Sequence, residues 1–259
     1  MTVSHERGPE YGEVTSSPPI AAHLDGQACA FKDAASFLES RCSDATNAQS
    51  LDVCQKSALA GWARDHGALV QSSAFAGLEV VSDCTSEHKV FYRALDNRAV
   101  KRTWAGVYGQ IPWVQDGALS RRNALPSEYL RRMALQISVF RSDIQLAGVF
   151  ISDEPSMIIG QPPGEPSLVI SQEWFEKDTA PSLTEIADYM RSEGFVHDPK
   201  AYFGWCRTAD GVIIVDAKPD NFIKTIFGLV PIDLQMAQFS IRQMKEIGLD
   251  PPAPLPRSP

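Results

Sequence analysis

One stretch of this chain, residues 211–235, constrains the fold and the function more than any other. It reads Gly-Val-Ile-Ile-Val-Asp-Ala-Lys-Pro-Asp-Asn-Phe-Ile-Lys-Thr-Ile-Phe-Gly-Leu-Val-Pro-Ile-Asp-Leu-Gln, and its apolar runs, 212–215, 222–227 and 229–232, predict three strands. Three polar residues stand at the ends of these runs: Asp216, Asn221 and Asp233. Because a buried carboxylate without a partner is costly, this arrangement favours a site for a divalent metal and a phosphate over a plain core.

The charge balance narrows the classes of partner. The 259 residues are 44% hydrophobic and 22% charged, which is typical of a globular protein with one large domain or two small lobes. A formal net charge of −8 argues against nucleic acid or an anionic membrane as the main partner. Three basic pairs, 101–102, 121–122 and 131–132, are interpreted as solvated faces. We therefore expect no nucleic-acid partner and no membrane partner.

The cysteines and the N-terminus indicate a cellular location. There are five cysteines, an odd number without a Cys-x-x-Cys pair, which predicts mostly free thiols in a reducing compartment. A bridge from Cys54 to either Cys42 or Cys29 stays open as an alternative. The first residues lack the pattern of a secretory signal, and no apolar run approaches the roughly 18 residues of a membrane span. The expected location is cytoplasmic.

The first half of the chain predicts helices followed by strands. Residues 1–20 are polar and are expected to form a flexible N-terminus, and helical periodicity over 21–75 predicts a helical extension. The period of strands then appears in three short segments, 78–82, 89–93 and 98–103, which predicts an antiparallel meander. Pro126 opens a helix whose apolar residues repeat at three and four positions as far as Ile144.

The second half of the chain continues this mixture and completes an α+β pattern. Two strands, 156–160 and 167–171, are predicted on either side of a Pro- and Gly-rich turn. Ser182 and Glu185 form a capping box at the start of a helix over 183–191. After the segment 211–235, a final helix is predicted over 234–247, and residues 249–259 form a Pro-rich tail.

The polar loop of the opening stretch resembles a known catalytic loop. Asp216-Ala-Lys-Pro-Asp-Asn221 has the form Asp-x-Lys-Pro-x-Asn, which is similar to the loop of the protein kinase-like superfamily. In that family the Asp orients or deprotonates the acceptor hydroxyl, the Lys neutralises the moving phosphoryl group and the Asn binds a metal. The resemblance implies these roles for Asp216, Lys218 and Asn221. It also implies a second metal ligand after a short strand pair, where Asp233 stands.

Upstream segments resemble the same family in the same order. Arg98-Ala-Val-Lys101 is similar to the third-strand motif whose Lys holds the α- and β-phosphates. Residues 168–175 resemble the fifth strand and the hinge that grips adenine, which implies Glu173 and Phe175 at the nucleotide. Glu128 or Gln136, in the intervening helix, is implied as the partner of Lys101, and the absence of any partner stays open.

Taken together, the resemblance implies a minimal two-lobed kinase-like fold of the α+β class. More narrowly, residues 60–240 resemble the compact kinase-like domains of bacterial and phage polyvalent proteins. The implied layout is an N-lobe over 76–175, with an antiparallel sheet, and a truncated C-lobe over 176–248. ATP and Mg²⁺ are the implied cofactors, and a hydroxyl group of unknown identity, on a protein or a small molecule, is the implied acceptor.

Two departures from the family pattern keep a second hypothesis open. The segment 82–88, where a Gly-rich nucleotide loop is expected, contains no glycine, so its backbone approaches phosphates less closely. Asp233 is followed by Leu234 and Gln235 where the family has Phe-Gly. The alternative to a phosphotransferase is therefore a nucleotide-binding pseudokinase that acts as an interaction module.

Overall fold

The computed structural model describes residues 20–82, 87–152, 164–176 and 179–249, and its architecture is α+β, as the sequence predicts. The helices in these ranges are α1 (Ile20–Arg41), α2 (Ala48–Asp65), α3 (Pro126–Phe140), α4 (Leu183–Ser192) and α5 (Ile241–Glu246). The strands are β1 (Leu69–Val70), β2 (Glu79–Ser82), β3 (His88–Arg93), β4 (Arg98–Thr103), β5 (Gln110–Gln115), β6 (Ala118–Asn123), β7 (Ile144–Ile151), β8 (Pro166–Glu173), β9 (Val196–Asp198), β10 (Gly204–Arg207), β11 (Val212–Val215), β12 (Phe222–Thr225), β13 (Gly228–Pro231) and β14 (Gln235–Gln238).

The first large sheet has six strands in the order β1-β7-β8-β4-β3-β2. All its neighbours are antiparallel except β1 and β7, which are parallel. The predicted meander is confirmed as β2, β3 and β4, and its second turn contains Asn97 at φ 53°, a conformation that Asn tolerates better than most residues. In this register Lys101 lies in the middle of β4, opposite Val90 of β3 and Ile170 of β8.

Helix α3 lies against this sheet and is covered on its other side by α1. Leu130 and Ile137 of α3 pack with Phe31 and Leu38 of α1 in one buried cluster. The predicted start at Pro126 is confirmed, but the helix ends at Phe140, because Arg141 adopts a left-handed conformation at φ 55°. Burial of this apolar stripe, at about 25 cal/mol per Å² of area removed from water, holds α3 against β7 and β8, which contribute Val149 and Leu168 to the same cluster.

The second half of the chain forms a separate four-stranded antiparallel sheet, in the order β14-β11-β10-β9, and the two-stranded hairpin β12–β13. The three predicted strands of the opening stretch are confirmed as β11, β12 and β13. The capping box of α4 is confirmed too, since the Ser182 hydroxyl accepts from Glu185 N and the Glu185 carboxylate accepts from Ser182 N. Ile186 and Met190 of α4 pack against the buried face of β11.

The helix predicted over 234–247 is wrong in its first half. Residues 235–238 form β14, which pairs with β11, and the helix begins only at Ile241, where Ser240 provides the cap. The burial of this segment repeats every two residues, with Met236 buried between the partly exposed Gln235 and Ala237. The edge of β11 offers four residues of backbone pairing, and this tertiary demand overrides the helical propensity of the local sequence.

Three strands, β5, β6 and β7, were assigned incorrectly from the sequence or missed. Residues 104–125 contain the hairpin β5–β6, whose turn is Asp116-Gly117, both at positive φ. Residues from Ile144 onward form β7, which pairs with β8 although the sequence placed Ile144 in a helix. The strand predicted over 156–160 lies outside the described residues, as do most of the N-terminal segment 1–20 and the Pro-rich tail.

One pair of cysteines corrects the expectation of mostly free thiols. Cys42 and Cys54 form a disulfide that joins the end of α1 to α2, and their Cα atoms are 5.8 Å apart. The short connection between two adjacent helices brings these residues together, as one of the two alternatives anticipated. Cys29 and Cys206 are free, and Cys84 lies outside the described residues. In the part of the chain that the structure describes, no helix is both long and apolar enough to cross a membrane.

Candidate active site

The two sheets meet at an ion pair between residues that are far apart in the sequence. Lys101 Nζ lies 2.8 Å from Asp233 Oδ1 and also donates to the carbonyl of Ile232 at 3.3 Å. Burial acts to raise the pKa of Asp233, but Lys101, aided by His88 and Arg132, outweighs it and holds the pKa below its usual range. The Lys101 side chain is 5% exposed and that of Asp233 is 37% exposed. The carboxylate therefore keeps an open face for a ligand.

A buried histidine of the six-stranded sheet lies next to this pair. His88 begins β3, and its Nδ1 lies 3.9 Å from Asp233 Oδ1. Its Nε2 is 2.9 Å from the hydroxyl of Tyr129 on α3. Burial lowers the pKa of His88 to about 4, although Asp233 acts in the opposite direction. At neutral pH the imidazole is therefore uncharged. It links β3 to α3 through its hydrogen bond with Tyr129 and lies close to Asp233 without a hydrogen bond to it.

A second buried ion pair adjoins this histidine. Arg132 of α3 pairs with Glu87, and its Nη1 also donates to the carbonyl of Gln110 at 3.0 Å. Burial lowers the pKa of Arg132 to about 10, so the guanidinium stays charged at neutral pH. Glu87 approaches the backbone of Gly109 so closely that a Cβ there would collide with its carboxylate. Glu87 Oε1 is 3.5 Å from His88 Nε2, which connects the two pairs.

The sequence did not identify Arg132, Glu87 or His88 as parts of this cluster. Arg132 was interpreted as one member of a solvated basic pair, yet its side chain is 1% exposed. A usable signal was its spacing, because residues three before and four after it, Tyr129 and Gln136, are also fully buried on α3. Its partner, Glu87, comes from a different element and is not indicated by any local pattern.

Neither predicted partner from α3 reaches Lys101. Glu128 binds Arg122, with Nη1 to Oε2 at 2.8 Å, and also accepts from the backbone N–H of Leu125 at the start of α3. A position in the first helical turn directs this carboxylate to the β5–β6 hairpin and to the N-terminal cap. Gln136 is buried and donates through Nε2 to the carbonyl of Pro231 at 3.1 Å, which joins α3 to the residue before Ile232. The third outcome, no pair with a side chain of α3, is the one observed.

The predicted catalytic loop holds its own residues together. Asp216 follows β11 directly and is buried with φ at 61°, an uncommon conformation that Asp tolerates. Asn221 Nδ2 donates to the Asp216 carbonyl at 2.7 Å and to its Oδ2 at 3.0 Å. Lys218 Nζ lies 3.2 Å from the same Oδ2. Backbone N–H groups of Asp216 and Ala217 donate to the carbonyls of residues 202 and 203, which holds the strained turn in place.

The loop and Asp233 meet at one end of the β12–β13 hairpin. Phe222 pairs with Pro231 in the ladder, and one step beyond them the N–H of Ile232 donates to the carbonyl of Asn221 at 3.0 Å. Asn221 and Asp233 therefore flank the same end of the hairpin. Because Nδ2 of Asn221 is committed to Asp216, its Oδ1 is the amide atom suited to a metal. The sequence-predicted residues 216, 218 and 221 thus form one group and residues 101 and 233 form a second, and the backbone of Ile232 connects the two groups.

The donor set at this end suits a hard divalent cation that keeps other ligands. Within the described residues, no group of three or more His, Cys, Asp or Glu is arranged to hold a metal. One carboxylate, from Asp233, and one amide oxygen, from Asn221, are the candidate ligands. Mg²⁺ commonly takes only one or two protein ligands and fills its octahedron with water and substrate phosphates. The residues present fit that pattern and do not fit a closed structural site.

The predicted hinge residues lie to one side of this cluster. Glu173 ends β8 opposite Arg98, and together with Phe175 it lines a cavity of about 450 Å³ that also includes Leu229 and Pro231 of the β12–β13 hairpin. The cavity therefore reaches the hairpin that carries Asn221 and the segment before Asp233. A larger cavity, about 590 Å³, lies at the outer face of α3 and at β14, and its lining does not include Lys101 or Asp233.

Comparisons with known proteins provide no relative: no family model matches the chain, and neither a curated protein nor a solved structure matches it.

Proposed function

We propose that the chain is an ATP- and Mg²⁺-dependent phosphotransferase with a minimal two-lobed kinase-like fold, which moves the γ-phosphoryl group to a hydroxyl acceptor. The observation that carries this proposal is the contact between Lys101 and Asp233, at 2.8 Å, beside Asn221. A phosphate-binding lysine and a metal-binding carboxylate must be adjacent when a metal bridges the phosphates. Lys101 lies in β4 and Asp233 lies in the connection between β13 and β14, so local turn chemistry does not account for their contact.

The order of strands supports the fold part of the proposal. Lys101 lies on the third strand of the antiparallel run β2, β3, β4, and α3 follows it along the chain. The next two strands, β7 and β8, extend the same sheet beyond β4, with β8 beside β4. The protein kinase pattern likewise has its lysine on the third strand and a helix after it. The sheet of residues 196–238 then supplies the second lobe.

The roles of the residues follow from their positions. Asp216 orients the acceptor hydroxyl and takes its proton as the oxygen attacks the γ-phosphorus. The bond from that phosphorus to the β,γ-bridging oxygen breaks, and ADP leaves with the electron pair. Lys218, next to Asp216, offsets the charge on the moving group. Mg²⁺ neutralises phosphate charge when it is bound at Asp233 and Asn221.

The ion pair of Lys101 and Asp233 has a defined part in nucleotide binding. With no nucleotide, each side chain neutralises the other, which avoids an unpaired buried charge at Lys101. Lys101 would hold a phosphate oxygen and Asp233 would hold the cation when the nucleotide and its metal bind. Each of the two protein charges would then keep a partner of opposite sign.

One observation favours the alternative, a nucleotide-binding module without transfer activity. Protein kinases require an ion pair between the third-strand lysine and a helix glutamate for activity, and here Glu128 is bound to Arg122. The absence of glycine from residues 82–88 favours the same alternative. The chain would then use nucleotide binding to set its conformation and would present a surface to a partner.

Transfer of radiolabel from γ-labelled ATP to the chain itself or to a cell lysate tests the proposal. We expect Mg²⁺-dependent transfer that falls at least about 100-fold in Asp216→Asn, because general-base assistance contributes 10²- to 10⁴-fold. Asn also tolerates the positive φ of this position, so the variant keeps the fold. Asp220→Asn, an exposed residue of the same loop, is the matched control and should retain activity.

Three results decide between the proposal, its alternative and neither of them. Thermal stabilisation by Mg²⁺ and ATP without transfer to any acceptor supports the module and rejects the phosphotransferase. Equal transfer by Asp216→Asn and the natural chain rejects the role of Asp216. If ATP gives no stabilisation with or without Mg²⁺, both nucleotide-based functions are rejected.

A further inference from the structure

The hairpin β5–β6 joins the two halves of the molecule on the side of the catalytic loop. It is inserted between β4, which carries Lys101, and α3, yet it packs on the second sheet. Val114 and Leu119 of the hairpin contact a buried cluster that includes Cys206, Ile213 and Phe239. Ile213 belongs to β11, the strand that ends at Asp216. The hairpin therefore provides a wall next to the strand that positions the proposed catalytic carboxylate.

Arg121, on β6, extends from this wall toward the loop. Its guanidinium carbon lies 5.3 Å from the ring centre of Tyr202, which is an exposed residue. The carbonyl of Tyr202 accepts the backbone N–H of Asp216 at 3.2 Å. Only one tyrosine side chain thus separates Arg121 from the backbone of Asp216. Such a cation over an aromatic ring is held in place without being neutralised.

Arg121 differs from its neighbour Arg122 in its available charge. Arg122 pairs with Glu128 and stacks on Trp113 at 4.4 Å, so its guanidinium is already neutralised. Arg121 is exposed and has no carboxylate partner among the residues that the structure describes. Arg121 therefore presents a positive charge beside Tyr202, in a chain of net charge −8. An exposed guanidinium of this kind can bind a carboxylate through two parallel hydrogen bonds.

One lysine adds to this positive charge. Lys200, two residues before Tyr202, is exposed, whereas Lys218 is paired with Asp216, with Nζ 3.2 Å from Oδ2. The length of the Tyr202 side chain places the Arg121 guanidinium away from the reacting hydroxyl. A tyrosine side chain spans roughly the length of two extended residues, at about 3.3 Å each. The charge is therefore suited to a neighbour of the acceptor and not to the acceptor group itself.

We propose that Arg121 and Tyr202 form an acceptor-recognition surface that selects a peptide hydroxyl with a carboxylate side chain two or three residues away. The inference rests on the proposed phosphotransferase and assigns its class of substrate, an acidic peptide. Arg121 binds the flanking carboxylate, and Tyr202 supports the guanidinium and packs on the peptide. Asp216 then receives a hydroxyl that this contact has oriented.

Serine peptides that differ only in the flanking residues test this inference. One peptide carries Asp two and three positions from the serine on both sides, and the matched peptides carry Ala or Lys there. We expect kcat/KM for the Asp peptide to exceed that for the Ala peptide about fivefold, the upper range for a partly exposed charge pair. Arg121→Gln should abolish this preference, and Arg121→Glu should transfer it to the Lys peptide. Arg191→Gln, an exposed arginine of α4, is the control and should keep the preference.

Other results test the Arg121–Tyr202 surface independently of the proposed phosphotransferase activity. Transfer that shows no charge preference, or a preference unchanged in Arg121→Gln, overturns the inference and leaves the phosphotransferase intact. If no peptide is phosphorylated, anisotropy of the labelled Asp peptide is measured with Mg²⁺ and a non-hydrolysable ATP analogue. Binding that weakens about fivefold in Arg121→Gln supports the surface without the transfer reaction. Absent or Arg121-independent binding overturns the surface as well.

Discussion

The two acidic residues of the candidate site are held in different ways. Asp216 has its side-chain partners, Lys218 and Asn221, within five positions of the chain. Asp233 has partners from β3 and β4, His88 and Lys101, which are more than a hundred positions away. The first environment is built by one loop, whereas the second exists only when both sheets are in place.

The environment of Asp216 depends on contacts within one loop, whereas that of Asp233 depends on contacts between distant parts of the chain. Because the Asp216 loop is closed by its own hydrogen bonds, changes there should affect chemistry more than folding. Asp233 neutralises a lysine whose side chain is 5% exposed, so changes there should affect folding and nucleotide binding together. The predictions that follow test this division, from the largest expected effect on stability to the smallest.

Asp233→Asn should lower the free energy of unfolding by about 3 kcal/mol, because it leaves Lys101 buried without a counter-ion. This value is the low end of the range for breaking a buried ion pair, because the Asp233 side chain is 37% exposed and its charge is partly solvated. Urea denaturation measures the change, and the double variant Lys101→Met/Asp233→Asn should recover part of the loss. Asp216→Asn, the comparison variant, should change stability by less than about 1 kcal/mol, because Lys218 is partly solvated. Equal losses of stability in Asp233→Asn and Asp216→Asn would contradict the distinction between the two environments.

Stability should fall as the pH is lowered through the range between the unfolded and folded pKa of His88. The pKa is about 4 in the folded chain and 6.5 in the reference state, so the unfolded chain alone gains a proton in this window. Between pH 6 and pH 4.5 the metal-free protein should lose about 2 kcal/mol through this group. His88→Gln should remove that part of the pH dependence, and His197→Gln, on exposed β9, should keep it. Parallel curves for His88→Gln and the natural chain would contradict a buried neutral imidazole.

Asn221→Ala should destabilise the chain by about 1 kcal/mol, since it removes two hydrogen bonds to Asp216. It should also weaken the dependence of ATP binding on Mg²⁺, because the amide oxygen is a proposed metal ligand. Thermal unfolding measured with and without Mg²⁺ and ATP gives both effects, with Asp220→Ala as the exposed control. A change in stability without any change in the metal dependence would restrict Asn221 to a structural role.

The sequence assigned residues of both halves of the site, but on different grounds. Asp216, Lys218 and Asn221 occur in one short pattern between two strands, so their proximity follows from the chain itself. Lys101 and Asp233 were assigned only through a resemblance in order, and their direct contact was not predicted. Nothing local indicates the pairing of α3 with a residue of another element, which is why the partners of buried Arg132 were missed.

Prediction of the fold was also limited to features that are visible in the local sequence. Strand runs with strong apolar patterns, such as 212–215, were predicted correctly because their burial is visible in the residues themselves. Residues 235–238 were assigned to a helix because their pairing with β11 is a long-range property. The β5–β6 hairpin had a usable local signal in Asp116-Gly117, a favoured turn pair, which the aromatic and Gly-rich surroundings obscured.

A crystal structure with Mn²⁺ and a non-hydrolysable ATP analogue tests the central claim most directly, because the anomalous signal of Mn²⁺ locates the metal. We predict the ion between the carboxylate of Asp233 and the amide oxygen of Asn221, with Lys101 moved from Asp233 to a phosphate oxygen. The result that would contradict the account is an intact Lys101–Asp233 pair, with the nucleotide in the 590 Å³ cavity at the outer face of α3 or absent.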